Sequence, residues 1–281
     1  MIRNVRVFDG TGMSELRTVV IDGELIGRDP TGAHQIIDGE GGYLVPGLID
    51  AHVHVHTGDH LQQLLIHGVT TALDMAMWPA EKMQLLRGQE GLPDLRTAGL
   101  PATKAGSVHS CVLPLPQEAF LSSPEQAVSW VKRRIDEGSD YIKIIADVPG
   151  PDQSVMNAIS AEARQRGKMV VAHAASYNPF SMALEAKVDV VTHVACDKAV
   201  DTDLAERMVA SRMIAVPVGL ELDDMISIDS DTLFVDFMHD ARNHENAIFE
   251  RCSLTSAQTI RLTSYNSRQE QYSRTCELQQ C

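Results

Sequence analysis

Apolar residues in this chain come in short β-branched runs separated by stretches of helical period. Val69 to Met75, Asp94 to Ala98, Tyr141 to Asp147, Met169 to Ala174, Val188 to Val194 and Met213 to Leu220 read as strands. Between them the spacing predicts helices. Asp59 to His67 puts Leu61, Leu64 and Leu65 on one face before Gly68, and Ser154 to Arg166 does the same with Val155, Ile159 and Ala163 before Gly167. Pro79 to Arg87, Pro124 to Glu137, Phe180 to Ala186 and Asp203 to Ser211 follow the same rule, the first opened by proline. Strand, helix, strand repeated this often implies right-handed crossovers and a parallel sheet. Periodicity alone leaves a closed barrel and an open doubly wound sheet both standing, although no G-x-G-x-x-G follows the first strand. Upstream, Ile2 to Phe8, Thr18 to Ile26 and Gln35 to Asp38 are shorter strands, and Gly99 to Leu121 is the longest irregular stretch.

Chemistry concentrates at the first long strand. The run Tyr43 to Ile49 reads as a buried strand, and it leads into Pro46-Gly47-Leu48-Ile49-Asp50-Ala51-His52-Val53-His54, then Val55-His56. Strand side chains alternate faces, so His52, His54 and His56 point one way and two neighbouring imidazoles converge on one spot. A face of solvated histidines would look the same, but three features favour a metal site: the position at a strand's carboxyl end, a lysine inside the apolar run Tyr141 to Asp147, and two later runs that each end in one histidine, His173 and His193. An ammonium among isoleucines is costly unless neutralised or partnered. A surface-edge strand with Lys143 in water is the alternative.

Together these residues resemble the amidohydrolase superfamily of metal-dependent hydrolases: P-G-x-I-D-x-H-x-H on the first barrel strand, a lysine on the fourth, single histidines on the fifth and sixth. The wording E-G-S-D-Y-I-K-I-I-A-D and G-K-M-V-V-A-H-A is similar to the imidazolonepropionase-like and zinc-prolidase-like branch. The resemblance implies an α/β fold, a (β/α)8 TIM-like barrel of which seven strands are recognisable, with a partial N-terminal β-sandwich. The expected divisions are 1–45 for the sandwich segment, 46–250 for the barrel and 251–281 for an atypical tail. It also implies a divalent cofactor, zinc first, as one or two ions. His52 and His54 would bind one ion, His173 and His193 the other, and Lys143, carboxylated to a carbamate, would bridge them. Lys143 and His193 are the expected catalytic residues, with His56, His109 and Tyr177 on the substrate side. His56 lies two residues past His54, roughly 7 Å along a strand, which puts it at the rim and outside the ligand set. For His109 a substrate contact and a surface position in a mobile loop both stand.

Composition narrows the partners. A net charge of -14 disfavours nucleic acid and anionic membranes, leaving a small-molecule substrate. No apolar stretch reaches the roughly 18 residues of a membrane span, and Met1-Ile2-Arg3-Asn4 opens no signal-peptide pattern, so a cytoplasmic protein is expected. Five unevenly spaced cysteines suggest free thiols. The pattern breaks near the end. After the helical segment His239 to Phe249, residues Arg251 to Cys281 hold no Gly, Pro or Val, and four Arg against two Glu. No G-T-D occurs, the family motif whose eighth-strand aspartate binds metal and accepts a proton; Asp223, Asp224, Asp229 and Asp231 are unranked substitutes. Seven strands would leave exposed edges that favour self-association, hence a possible homo-oligomer. Two classes of function follow: a hydrolase of amide-like bonds, and a truncated, catalytically impaired or non-enzymatic relative.

Overall fold

A computed structural model describes residues 1–218. The expected helix at His239, the tail after Arg251 and the four aspartates from Asp223 to Asp231 lie outside these residues. The described residues divide into two compact units, Met1–Leu48 and those from Ile49 onward.

The first unit is a five-stranded sheet built from β1 (Ile2–Val7), β2 (Arg17–Asp22), β3 (Leu25–Gly27), β4 (Ile37–Asp38) and β5 (Tyr43–Leu44). β1 pairs antiparallel with β2 and parallel with both β4 and β5. The β2–β3 hairpin turns through Gly23-Glu24, where Gly23 has a φ of +60° that a side chain would oppose. Val5 and Val19 are its buried apolar residues.

The second unit alternates strands and helices: β6 (Leu48–Val53), α1 (Gly58–Ile66), β7 (Val69–Asp74), α2 (Ala80–Leu86), β8 (Asp94–Thr97), α3 (Val108–Val112), α4 (Pro124–Asp136), β9 (Ile142–Ile145), α5 (Gln153–Gln165), β10 (Val170–His173), α6 (Tyr177–Glu185), β11 (Val190–Thr192), α7 (Thr202–Ser211) and β12 (Ile214–Val216). Strands β6, β7 and β8 are neighbours in one sheet, and β9 to β12 are parallel neighbours in another. The chain beyond β8 joins the two, because Ala102 bridges Ile144 in parallel, with Ala102 N–H on Lys143 O at 2.9 Å and Ile145 N–H on Ala102 O at 2.8 Å. Every strand of this second unit thus lies beside its sequence neighbours. A doubly wound sheet reverses its order at a switch point, and none occurs among the described residues. Sequential order of this kind also occurs in parallel barrels; the residues that would supply an eighth strand are outside the described ones.

Alternation along these strands sets what faces where. Ile142 and Ile144 on β9, Val170 and Ala172 on β10 and Val191 on β11 join the core under α4, α5 and α6. The intervening residues take the opposite face, where Tyr141, Val171, Met75 and Ala98 pack together and Lys143, His173 and Thr192 lie beyond them. Caps fix where helices begin: Ser123 Oγ accepts Gln126 N–H at 3.3 Å with Pro124 in the first turn, and Asp201 accepts Leu204 N–H at 3.0 Å.

Three sequence expectations change. Tyr43 to Ile49 is not one buried strand: Tyr43 and Leu44 pair with β1, Pro46-Gly47 stays unpaired, and Tyr43 and Ile49 are exposed. Proline has no N–H for a ladder, so the run breaks there. The histidine strand ends at Val53, which frees His54 and His56 from a common strand face. Finally, Gly99 to Leu121 carries α3, a 3-10 turn at Gln117–Ala119 and a Thr103–Phe120 bridge. No helix among the described residues is long and apolar enough to cross a membrane.

Candidate metal centre

Three strands of the second unit deliver a row of imidazoles. His52 lies inside β6, His173 ends β10 and His193 follows β11, all buried. The His52 ring is 5.4 Å from that of His54 and 4.8 Å from that of His193, and His193 stands 4.3 Å from His173. His109, from α3, extends the row with its ring 4.3 Å from His173. His193 adopts a φ of +76°, a left-handed conformation rare for a residue with a side chain and typical of functional sites. Its N–H is fixed on Val216 O at 3.0 Å.

Lys143 is buried beside this row, and its Nζ donates to Thr192 Oγ1 at 3.1 Å. Thr192 in turn donates to Ala172 O at 3.3 Å, so β11 and β10 together hold the hydroxyl that receives the ammonium. Burial pushes the His52 pKa well down, and the charges of Lys143, His193, His54 and His173 push it the same way. His173 is likewise lowered, by burial first and then by His193, His109 and Lys143. These imidazoles are therefore neutral at pH 7, the form that offers a lone pair to a metal. The donor set fits a divalent ion on a second ground: His52 Nδ1 is buried with no hydrogen-bond partner, a state native proteins seldom leave unexplained.

Carboxylates brace the row from outside. Asp50 accepts His52 N–H at 3.1 Å, and burial raises its pKa to about 6. Asp74, at the end of β7, accepts Val55 N–H at 2.8 Å and the Thr97 hydroxyl at 2.5 Å, tying the peptide after His54 to the end of β8. Its pKa is also raised to about 6, burial outweighing both hydrogen bonds. Asp147, two residues past β9, accepts His109 N–H at 3.0 Å and His109 Nδ1–H at 2.9 Å. The donor atoms of His109, Asp147 and His173 all lie within 4.8 Å of one another. Sequence reading passed over Asp50, Asp74, Asp147 and Thr192; an aspartate closing a β-branched run, as Asp74 and Asp147 do, was the available signal.

Of the residues expected on the substrate side, His109 joins the row. His56 does not: its N–H reaches His60 Nδ1 at 3.3 Å, their rings lie 5.6 Å apart, and burial followed by the Lys82 charge lowers its pKa. Tyr177 opens α6, its hydroxyl donates to Asp201 at 2.6 Å, its N–H reaches Asp197 at 2.7 Å, and Lys198 Nζ sits 3.9 Å from its ring centre. It latches the loop after β10 to the loop after β11.

No family model matches the chain. It is similar to the adenine deaminase of Halalkalibacterium halodurans, 28% identical over 204 residues that make up 66% of this chain and 33% of that protein. The chain therefore spans about a third of this curated relative's length. Among solved structures it is similar to a Xaa-Pro dipeptidase with bound methionine in the active site, at a TM-score of 0.67 and 21% identity over 82% of this chain and 70% of that one. A putative prolidase from Bifidobacterium longum aligns at a TM-score of 0.64 and 22% identity, over 93% and 66% of the two chains.

Proposed function

We propose that this chain belongs to the amidohydrolase superfamily and is a metal-dependent hydrolase of amide-like C–N bonds, in a dipeptide, an N-acyl amino acid or a cyclic amide, a reading that its likeness to an adenine deaminase and to prolidase structures supports. The observation that carries this reading is the meeting of His52, His54, His173 and His193 beside a buried Lys143, from β6, β9, β10 and β11. A deaminase and a dipeptidase among its relatives agree in bond type while differing in substrate.

In this reading His52 and His54 would hold one ion and His173 and His193 another, with Lys143 available for carboxylation as a further ligand. A bound metal pair lowers the pKa of a water between its ions and polarises a carbonyl. The protein's part is placement. Carboxylation would replace a buried cation by an anion, and Thr192 Oγ1 holds Nζ beside the row. The left-handed backbone at His193 aims its ring back across the row toward both His52 and His173. Asp74 fixes the peptide after His54, so that ring leaves a braced backbone. His109 faces the substrate from α3, His56 lies at the rim, and Tyr177 shapes the opposite rim through its latch to Asp201, in a cytoplasmic protein with no nucleic-acid or membrane partner.

Metal analysis of the purified protein and of Lys143→Ala tests this. The parent should carry near-stoichiometric divalent metal and hydrolyse at least one substrate class of a dipeptide, N-acyl amino acid and cyclic amide panel, and the variant should lose metal. Carbon-13 bicarbonate should label Lys143 in the parent. A parent that stays metal-free after incubation with zinc, or a Lys143→Ala protein with unchanged metal, refutes the assignment.

A further inference from the structure

His109 and Asp147 come from segments 38 residues apart, and neither is among the ligands assigned above. They meet through two bonds from one residue to one carboxylate, side chain and backbone, at 2.9 and 3.0 Å. Asp147 is 8% exposed and the His109 side chain 25%, so the pair stands at the edge of the buried row with one flank open to solvent. Among the described residues, His109, Asp147 and His173 are the group in which two imidazoles and a carboxylate converge.

We propose that His109, Asp147 and His173 together hold a divalent first-row transition ion, so that the second ion of the centre is bound by His109 and Asp147 as well as by His173. This rests on the reading of the row as a metal centre and adds two ligands to it. Charge is the first argument. Histidines ligate as neutral groups, so Asp147 is the member of the cluster that brings a negative charge of its own. Spacing is the second. Ligands at about 2.0 to 2.1 Å from a tetrahedral ion stand roughly 3.3 Å apart. The 2.9 Å between His109 Nδ1 and Asp147 is close to that value, a proton lying where an ion would replace it. Separations of up to 4.8 Å have to close by as much as about 1.5 Å on binding. Two nitrogens and one carboxylate oxygen suit zinc, manganese, iron or cobalt. Calcium and magnesium prefer oxygen donors alone and should not compete.

The 281-residue protein, stripped with a chelator and reloaded with Zn2+ or Co2+, is counted for metal per chain after gel filtration, with affinities from competition against a chelating dye. His109→Ala and Asp147→Ala should each lose one ion, or at least tenfold in its affinity, and should alter the visible Co2+ absorption. The double change His52→Ala with His54→Ala should leave this ion bound. Unchanged stoichiometry, affinity and spectrum in His109→Ala and Asp147→Ala overturns the inference and leaves the proposed function standing. Loss in those two variants with full retention in the His52/His54 variant upholds it while removing the other ligand pair from the proposed function. A measurement on the parent protein covers variants that misfold: diethyl pyrocarbonate should modify His109 at least tenfold more slowly in the zinc-loaded than in the stripped protein. Equal rates overturn the inference.

Discussion

Asp74→Asn should change how stability depends on pH without removing the brace behind the histidine strand. Asp74 has no solvent exposure, and its carboxylate accepts from Val55 N–H and the Thr97 hydroxyl. Two donors favour the ionised form, yet burial wins and lifts the pKa from 3.8 to about 6. The folded state thus holds this proton more tightly than the unfolded chain. Its contribution is complete below pH 3.8 and fades as pH rises toward 6, so that above pH 7 the buried charge costs about 3 kcal/mol relative to the neutral acid, at 1.36 kcal/mol per pH unit. Asparagine cannot ionise. Its carbonyl can still accept Val55 N–H and its amide can donate to Thr97 Oγ1, so the geometry survives. Urea melts of the chelator-treated parent and variant across pH 3.5 to 7.5 isolate the effect, since every other titrating group, the similarly raised Asp50 included, is common to both. The variant should gain on the parent by about 3 kcal/mol between pH 4 and 7, and the difference should be level above that. A difference that stays flat across the range would show that Asp74 ionises in the folded protein as it does in water.

The other predictions concern packing. Ile144→Ala empties a site with no exposure under α4 and α5 and should cost about 2 to 5 kcal/mol in urea unfolding, and a loss below 1 kcal/mol would contradict the assignment of that face to the core. Gly39→Ala would place a Cβ 2.0 Å from Val5 Cγ1, so β1 and the Asp38–Gly39 turn must part. Faster amide exchange confined to residues 2–44 is expected, and unchanged exchange argues against this packing. Arg134→Ala strips a buried guanidinium from Glu118, Glu137 and the face of Trp130, whose centre lies 5.5 Å away. Because Glu118 is 43% and Glu137 30% exposed, water can take over their solvation. The loss should be about 2 kcal/mol, below the 3 to 5 of a fully enclosed pair, with a shift in Trp130 fluorescence; no change in either would mean the pair is already broken in solution.

How far the sequence reveals this molecule depends on how local each cause is. Strands β7 to β11 are legible because a β-branched run between glycine- or proline-bounded segments has few other ways to fold, and their ends fall within a few residues of the expected ones. Lys143 is legible as an anomaly, one cation in a run whose neighbours Ile142 and Ile144 are buried at 0% exposure. Pro46 shows the limit of reading apolar runs. Hydrophobicity continues through it while the ladder cannot, so Tyr43 and Leu44 pair with β1 and β6 starts afresh at Leu48.

What sequence does not disclose is the partner of a polar group that sits far away along the chain. Nothing local to His109 distinguishes a loop histidine in water from one held by two bonds to Asp147, and nothing local to Asp74 points to Val55 and Thr97 on either side of it. Burial makes such pairings compulsory, because an unpaired carboxylate in an apolar interior costs several kcal/mol; it does not say which donor will answer. The strand-end aspartates could have been marked as needing donors from the sequence, and register then decides among the candidates. In the second unit each strand lies beside its sequence neighbours, so the donors Asp74 finds are on β8 and just past β6, and the one Asp147 finds is on the helix that follows β8. The donors that complete the site are thus distant in sequence but adjacent in strand order, which is why the topology had to be known before His109 and Asp147 could be paired.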